Sequence, residues 1–144
     1  NEMLNIVQVS KTALEIFNEE YIQFTTTEQE ILTLFDRAQL TRIVTNLVKN
    51  AIQAIPENQE LKSVIVALSK VENQFVLKIS DNGIGISKEN AGFIFEPKFT
   101  TKNSGMGLGL AIIKNIIENY KGTITFDTEE GKGTTFIVTL PIKN

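Results

Sequence analysis

Residues 80–110 read SDNGIGISKENAGFIFEPKFTTKNSGMGLGL, and the rest of the chain is organised around this stretch. Two glycine clusters, at 83–85 and 105–109, flank a polar segment, and the second cluster opens a long apolar run. Glycine costs backbone entropy inside regular structure, so such clusters indicate a close approach of the backbone to another group. We expect that group to be a nucleotide, with Asp81 binding the base and the second cluster binding the phosphates.

The composition fits a single compact domain spanning all 144 residues. Apolar residues make up 42% and charged residues 22%, and no apolar run approaches the ~18 residues of a membrane span. The chain contains neither cysteine nor histidine. Disulfides, thiolate or histidine metal sites and a Ser-His-Asp triad are therefore excluded within it. The net charge of −3 argues against nucleic-acid binding and against direct membrane contact.

The spacing of apolar residues predicts three helices, at 4–17, 36–55 and 108–120. The second has the clearest pattern, with an apolar stripe from Leu40 to Ile55. Asp36 is its candidate N-cap, and Pro56 ends it. Because the first helical pattern opens the sequence, we expect the chain to be a fragment of a longer protein.

Six short segments have the composition and alternation of strands. We predict an edge hairpin at 21–24 and 31–35, an antiparallel pair at 63–71 and 75–80, and a final hairpin at 123–127 and 134–140. Apolar residues line one side of 75–80, so Asp81 is expected at the end of a central strand. Residues 87–104 have little periodicity apart from a helical turn near 91–95, and so long a loop in a compact domain usually covers a ligand.

The second glycine cluster leads directly into the third predicted helix. The unpaired amide groups and the positive dipole end at a helix N-terminus favour phosphate. A Walker loop is excluded because no glycine-lysine pair is followed by serine or threonine at the required spacing. The dinucleotide fingerprint does not fit because strand, glycines and helix are not contiguous. By itself, the cluster is explained equally well by a hinge that packs a helix close to a sheet.

Three polar residues could meet such a ligand. A carboxylate at a strand end, as at Asp81, can accept hydrogen bonds from the exocyclic amine of adenine, although the tripeptide 81–83 alone is more typical of a turn. Asn46 and Asn50 share one face of the second helix with Gln53, and Asn50 borders the apolar stripe. An amide oxygen suits Mg²⁺ carried by phosphates. A solvated asparagine face is the alternative.

The order of these motifs resembles the GHKL ATPase superfamily, which includes sensor histidine kinases, DNA gyrase B subunits, mismatch-repair ATPases and large heat-shock chaperones. The motifs are NLVKNA at 46–51, DNGIG at 81–85, FIFEPKF at 93–99, GMGLGL at 105–110 and GTTF at 133–136. The resemblance covers nearly the whole chain. The phenylalanine box IFEP at 94–97 with FTTK at 99–102, followed by SGMGLGLA at 104–111, resembles the catalytic ATP-binding domain of bacterial sensor histidine kinases, closest to the nitrogen-regulation-like branch.

This resemblance implies a Bergerat fold, a two-layer α/β (α+β) sandwich. Its sheet is mixed and largely antiparallel, with about three helices on one face and a flexible ATP lid at 87–104, seated by Phe93, Phe95 and Phe99. It implies ATP and Mg²⁺ as cofactors, Asn50 as the metal ligand, Asp81 as the adenine anchor and Thr134 near the base through water. The implied cofactor-binding residues are Asn46, Asn50, Asp81, Gly83, Gly85, Lys98, Thr101, Lys102, Gly105, Gly107, Leu108, Gly109, Leu110 and Thr134.

Two positions depart from the pattern of this family. Many relatives have a basic residue where this chain has Gln53, and the branch has an aromatic residue where it has Lys98. The cationic contact to the phosphates is therefore assigned to Lys102 first, and to Lys98 or Lys49 next.

The implied reaction is transfer of the ATP γ-phosphoryl group to a histidine on a separate dimerisation domain, as part of a two-component system. Since this chain has no histidine, no catalytic nucleophile is expected in it. The implied partners are that dimerisation domain and the receiver domain of a response regulator. The implied location is a cytoplasmic domain of an inner-membrane sensor. Two alternatives stay open: an anti-sigma-factor-type serine kinase, and a non-catalytic ATP-sensing module.

Overall fold

The computed structural model describes residues 1–97 and 105–144, with the backbone alone for 105–108. Seven strands and four helices follow one another in this part of the chain. In order they are β1 (Glu2–Asn5), α1 (Ile6–Leu14), β2 (Ile22–Thr26), β3 (Leu32–Phe35), α2 (Arg37–Ala54), β4 (Val64–Val71), β5 (Gln74–Asp81), α3 (Lys88–Ala91), α4 (Gly105–Asn119), β6 (Thr123–Glu129) and β7 (Gly133–Pro141).

Five strands form the main sheet, in the order β2-β4-β5-β7-β6. The β2–β4 pair is parallel and the other three pairs are antiparallel. Phe75, Leu77 and Ile79 of β5 are buried at every second position, so one face of the sheet packs against the helices. Helix α2 contacts β4, β5 and β7, while α1 and α4 pack on α2. This confirms the predicted two-layer α/β fold with a mixed, largely antiparallel sheet.

Helix α2 follows its sequence pattern closely. The Asp36 side chain accepts a hydrogen bond of 3.0 Å from the Gln39 amide and caps the first turn. The apolar stripe from Leu40 to Ala51 is buried, and the helix ends two residues before Pro56. The prediction for this element is confirmed because cap, stripe and breaker are all local signals.

The predicted edge hairpin of residues 21–24 and 31–35 is wrong. Strand β2 instead pairs in parallel with β4, and β3 pairs antiparallel with β1 in a separate two-stranded sheet. Closeness in sequence favours a hairpin, but Leu4 and Phe35 both gain burial in the second sheet. That burial favours the longer-range pairings.

The start of the chain also differs from the prediction of a helix at 4–17. Leu4 lies in β1, and the helix begins at Ile6. The Asn5 side chain explains the switch, because its Oδ1 accepts from the amides of both Val7 and Ile31, each at 3.2 Å. One side chain therefore caps α1 and holds the segment before β3.

A third difference concerns where the helices on either side of residues 98–104 begin and end. Helix α4 begins at Gly105 rather than at residue 108, and α3 lies at Lys88–Ala91, earlier than the predicted turn at 91–95. At the other end of α4, Lys121 takes the left-handed conformation with φ 65°. Gly122 lies so close to β7 that a Cβ there would overlap the carbonyl of Thr139.

Tyr120 ties the end of α4 to the beginning of the chain. Its ring stacks on Phe35 with centroids 3.8 Å apart. Its hydroxyl donates to Oδ1 of Asn1 at 2.8 Å and accepts from the Asp36 amide at 3.2 Å. Among the helices within residues 1–97 and 105–144, none is long and apolar enough to cross a membrane.

Candidate nucleotide site

The site is built around Asp81, the last residue of the central strand β5. This position agrees with the sequence prediction. The Asp81 carboxylate accepts a hydrogen bond of 2.8 Å from the Gly83 amide. Burial raises the pKa of Asp81 to about 6, against the opposing effect of backbone hydrogen bonds from Gly83 and Thr134. A carboxylate has about four acceptor sites, so beyond these two hydrogen bonds it retains acceptor capacity that suits an exocyclic amine.

The turn after Asp81 packs directly on the last turn of α2. A Cβ at Gly83 would overlap the carbonyl group of Ala54. The next amide, of Ile84, donates to that same Ala54 carbonyl at 2.9 Å. Only glycine permits this approach, and it brings the strand end and the asparagine-bearing helix together.

The same segment is also fixed to the β6–β7 hairpin. Gly85 has φ +74° and faces the Glu129 carbonyl so closely that a Cβ would overlap it. The Gly131 amide donates to the Ile84 carbonyl at 2.7 Å. Gly133, with φ +140°, approaches the Asp81 backbone in the same way. Three glycines therefore join two loops into one wall beside Asp81.

Thr134 stands opposite Asp81 in the β5–β7 ladder and is 5% exposed. Its hydroxyl lies 2.8 Å from the hydroxyl of Thr128 on β6. Thr128 also accepts from the Ile86 amide at 2.9 Å. The sequence reasoning did not identify Thr128. Thr128 is paired with Thr134 across the final hairpin, and this pairing can be found from the sequence only once the register of the two strands is known.

Asn50 is more buried than its helical position suggested, with 7% of its surface exposed. Its Nδ2 has no hydrogen-bond partner among the residues that the structure describes. The amide nitrogen and oxygen exchange on a half turn of the side chain, so a polar atom is left for a ligand in either orientation. A buried amide without a protein partner fits a phosphate oxygen or a phosphate-bound cation.

Asn46 lies one turn before Asn50 and is partly buried. Its Cγ would lie 3.9 Å from a Cβ at Gly109 on α4. The asparagine motif of α2 and the glycine motif at 105–110 are therefore adjacent in the fold. The 3.9 Å separation is an ordinary van der Waals distance, and Gly109 has no closer neighbour. The alternative of a glycine needed for tight helix packing therefore has no support at this position.

The start of α4 supplies the third side of the site. Gly105, Gly107 and Leu108 lie in its first turn or just after it, and that turn carries no acidic residue. Such a turn offers unpaired amides to an anion. Leu110 is 1% exposed and part of the core, so only its backbone is available to a ligand.

The lid segment is described as far as Pro97. Phe95 packs on Phe126 and Phe136 with ring centroids 5.9 and 6.4 Å away, and Lys114 lies over its ring at 5.3 Å. The expectation that Phe93 seats the lid is wrong, because it is 52% exposed while its neighbour Ile94 is 2% exposed.

The lysines assigned to the phosphates fall in two parts of the chain. Lys98, Thr101 and Lys102 lie outside the described residues, as does Phe99. Lys49 and Gln53 are both exposed on α2. Within the described ranges, no group of three Asp, Glu, His or Cys side chains could hold a metal ion by itself.

A depression of about 360 Å³ lies beside Asp81. Its lining consists of the strand ends and the final hairpin: Asp81, Asp127, Thr128, Glu129, Lys132, Gly133, Thr134 and Thr135. Among the described residues, its lining thus comes from the end of β5 and from the β6–β7 hairpin.

Comparison with known proteins identifies the family that this arrangement matches. The profile of the family described as "Histidine kinase-, DNA gyrase B-, and HSP90-like ATPase" matches residues 35–144. The sensor histidine kinase ZraS of Escherichia coli (strain K12) is 37% identical over 144 residues, covering 99% of this chain and 29% of that protein. Sporulation kinase E of Bacillus subtilis (strain 168) is 38% identical over 105 residues, covering 73% and 14%. The chain thus spans less than a third of either relative.

Solved structures agree with the sequence matches. The catalytic domain of histidine kinase ThkA, in a nucleotide-free form, superposes with a TM-score of 0.86 at 27% identity, covering 99% of this chain and 98% of that one. The mycobacterial sensor histidine kinase MprB superposes with a TM-score of 0.81 at 27% identity, covering 99% of both chains.

Proposed function

The chain belongs to the family of histidine kinase-, DNA gyrase B- and HSP90-like ATPases, and on that premise we propose that it transfers the γ-phosphoryl group of ATP to a histidine on a separate dimerisation domain. It is an ATP-binding catalytic domain of the sensor histidine kinase type. The family resemblance inferred from the sequence motifs is thereby confirmed. The acceptor, the partners and the role of each site residue belong to the proposal.

One observation carries the proposal: α2 lies between the end of β5 and the start of α4 and contacts both of them. Ile84 donates to Ala54 at the end of α2, and Gly109 faces Asn46 one helical turn before Asn50. The candidate base-binding residues therefore lie beside the last turn of α2, and the candidate phosphate-binding residues lie about two turns earlier along the same helix. A nucleotide laid along α2 would reach both.

On the base side, we assign the exocyclic amine of adenine to the Asp81 carboxylate. Thr134, its neighbour in the ladder, would serve the adjoining edge of the ring through water. Gly83 and Gly85 shape the wall, since side chains there would collide with the backbone. The Gly83 amide occupies part of the carboxylate, which leaves the remaining lone pairs to the base.

On the phosphate side, we assign Mg²⁺ to Asn50 and a supporting contact to Asn46. The first turn of α4, with Gly105, Gly107, Leu108, Gly109 and the backbone of Leu110, would hold the phosphate oxygens. Lys98, Thr101 and Lys102 complete the assigned set. When bound, Mg²⁺ neutralises charge on the phosphates.

The chemistry asks little of the chain beyond position. Phosphoryl transfer has a loose transition state, so holding the phosphate in line with its acceptor and neutralising its charge supply most of the catalysis. Among the described residues, α2, α4 and the wall beside Asp81 do the holding. The nucleophile is the acceptor histidine, which is not in this chain.

We infer two partners from the same premise: the histidine-bearing dimerisation domain of the same kinase and the receiver domain of a response regulator. A cytoplasmic placement, within an inner-membrane sensor, is the corresponding proposal for location. It rests on the need for cellular ATP and on the likeness to named sensor kinases.

The test is to mix this chain with the dimerisation segment of its parent protein and radiolabelled ATP with Mg²⁺. We expect label on that segment that is stable in alkali and lost in acid, as a phosphorylated histidine is. The Asp81→Asn variant should transfer little label, and Glu72→Gln, at an exposed acid in the turn between β4 and β5, should match the unmodified chain.

Two other outcomes would contradict the proposal. Acid-stable label on a partner serine would favour the serine kinase alternative. ATP binding without any transferred label would favour a non-catalytic sensing module. Label retained on this chain alone, as phosphohistidine, is excluded by its composition.

A further inference from the structure

Thr128 joins three parts of the nucleotide site that are distant in sequence. Its hydroxyl accepts from the Ile86 amide at 2.9 Å, lies 3.2 Å from the Gly133 carbonyl oxygen and lies 2.8 Å from the Thr134 hydroxyl. Ile86 ends the glycine-containing wall and immediately precedes the N-cap of α3. The three partners thus belong to the lid entrance, the hairpin turn and the ladder opposite Asp81.

We propose that Thr128 is a positioning residue for nucleotide binding, which holds the wall segment 84–86 and the Thr134 hydroxyl in the arrangement that the base needs. This inference rests on the proposed function. Thr128 does not touch the ligand in this scheme. It acts through Ile86 and Thr134.

The hydrogen-bond capacity of one hydroxyl accounts for the arrangement. A threonine hydroxyl has one proton and two acceptor lone pairs. One lone pair of Thr128 is taken by the Ile86 amide, which leaves the proton and the other lone pair for Thr134 and Gly133. The separation of 2.8 Å to Thr134 is the usual length for two hydroxyls, while 3.2 Å to Gly133 is long. A carbonyl oxygen can only accept, so all three contacts are satisfied together when Thr128 donates to Gly133 and Thr134 donates to Thr128. In that arrangement the Thr134 hydroxyl is held in one orientation.

The effect on affinity comes from preorganisation. Without the Thr128 hydroxyl, the Ile86 amide loses its acceptor and the Thr134 hydroxyl loses its neighbour. The wall then has to be ordered when the base binds, and that cost is subtracted from the binding free energy. Consecutive hydrogen bonds also polarise one another, so the loss extends along the series from Ile86 to Thr134.

Thr33 offers a matched control away from the site. It is fully buried in β3, which belongs to the separate two-stranded sheet. Its hydroxyl accepts from the Lys143 amide at 2.8 Å and donates to the Lys143 carbonyl at 3.3 Å. A change of Thr33 to Val removes a buried threonine hydroxyl with comparable hydrogen bonds without touching the wall or Thr134.

The experiment compares Thr128→Val, Thr128→Ser and Thr33→Val with the unmodified chain. Calorimetric titration with ATP and with ADP is combined with amide hydrogen exchange at Ile86 and with thermal unfolding of each variant. We expect Thr128→Val to weaken ATP and ADP binding equally, by about three- to tenfold, which corresponds to one hydrogen bond. Exchange at Ile86 should be faster in this variant. Thr128→Ser should stay within about twofold, and Thr33→Val should lower the melting temperature without changing affinity.

Several results would overturn the inference. Unchanged affinity in Thr128→Val, an equal loss in Thr33→Val, or a loss confined to ATP would each contradict a role on the base side. If Thr128→Val does not fold, Thr128→Ala is measured in its place with the same criteria. Failure of the unmodified chain to bind ATP or ADP would instead contradict the proposed function, so the two failures are distinguishable.

Discussion

The Gly83 amide donates a hydrogen bond of 2.8 Å to Oδ1 of Asp81, two residues earlier in the chain. This short contact combines two requirements. It closes the turn that presses Gly83 onto the end of α2, and it fixes the carboxylate while leaving acceptor capacity free. Burial nevertheless raises the pKa of Asp81 to about 6, because the ionised carboxylate loses solvation in the folded protein. A ligand that donates a hydrogen bond to the carboxylate would offset this cost.

Replacing Asp81 by Asn should weaken ATP binding by ~2–4 kcal/mol at pH 8, where the native carboxylate is ionised. The exocyclic amine loses a charged acceptor, and the new amide places a donor in the site. Calorimetric titration measures the change. Glu72→Gln is the control, because Glu72 is an exposed acid in the turn between β4 and β5, at the opposite end of β5 from Asp81. An unchanged dissociation constant in Asp81→Asn would remove Asp81 from the base site.

The same replacement should raise the stability of the free protein at neutral pH. The folded-state pKa of Asp81 is raised from 3.8 to about 6, so the folded protein binds this proton more tightly than the unfolded chain. Stability that depends on Asp81 therefore falls as pH rises from about 4 to about 6, and is constant above that. We expect Asp81→Asn to gain about 1–2 kcal/mol at pH 7, after a discount for solvent at the carboxylate.

Denaturant unfolding of both proteins at pH 4, 5, 6 and 7 checks this prediction. The difference should grow across the range and then level off. A difference that is constant with pH, or one of the opposite sign, would mean that the carboxylate is not strained by burial.

Asn50→Ala should weaken ATP binding far more in the presence of Mg²⁺ than in EDTA. The reason is that an amide oxygen is a metal ligand, and its removal costs the metal-dependent part of the affinity. Titrations in both conditions give the ratio. Asn115→Ala is the control, since Asn115 is exposed on α4. Equal losses in Mg²⁺ and EDTA would make Asn50 a structural residue.

The elements that the sequence predicted well depend on local signals. The α2 helix has its cap, stripe and stop within some twenty residues, and β4–β5 and β6–β7 are antiparallel neighbours in sequence. Asp81 was placed correctly because alternation along β5 sets where that strand ends. Local periodicity is the strongest information that a single sequence carries.

The features that the sequence did not predict depend on contacts between distant residues. The parallel pairing of Ile22 with Val64 crosses the whole of α2, and no local pattern specifies it. Asn5 acts both as cap and as partner of Ile31, which shortens the first helix. The role of Thr128 needs the register of β6 on β7. Each is a property of tertiary packing, which overrides local preference.

Ser10→Ala should stabilise the protein by about 1 kcal/mol without changing nucleotide affinity. Ser10 is fully buried in α1, and its Oγ has no hydrogen-bond partner among the described residues. Alanine removes the cost of that buried hydroxyl and has a higher helix propensity. Thr12→Ala, at an exposed position of the same helix, is the control for helix propensity, and its hydroxyl makes a long contact of 3.4 Å with the Gln8 amide nitrogen. A loss of stability in Ser10→Ala beyond that of the control would indicate that the hydroxyl has a partner.

Gly83→Ala should destabilise the protein by about 1–3 kcal/mol and weaken ATP binding as well. A Cβ at this position overlaps the Ala54 carbonyl and lies 3.0 Å from Oδ1 of Asp81, so either the end of α2 or the turn has to move. Gly92→Ala is the matched control, because a Cβ there has no neighbour within 4 Å and φ is −75°. Denaturant unfolding and ATP titration of both variants separate the effects. The turn that contacts the end of α2 also donates the Gly83 hydrogen bond to the Asp81 carboxylate. Stability and affinity should therefore fall together in Gly83→Ala, and neither should fall in Gly92→Ala. An affinity that is unchanged despite the loss of stability would show that the contact between the turn and α2 is not needed to position Asp81.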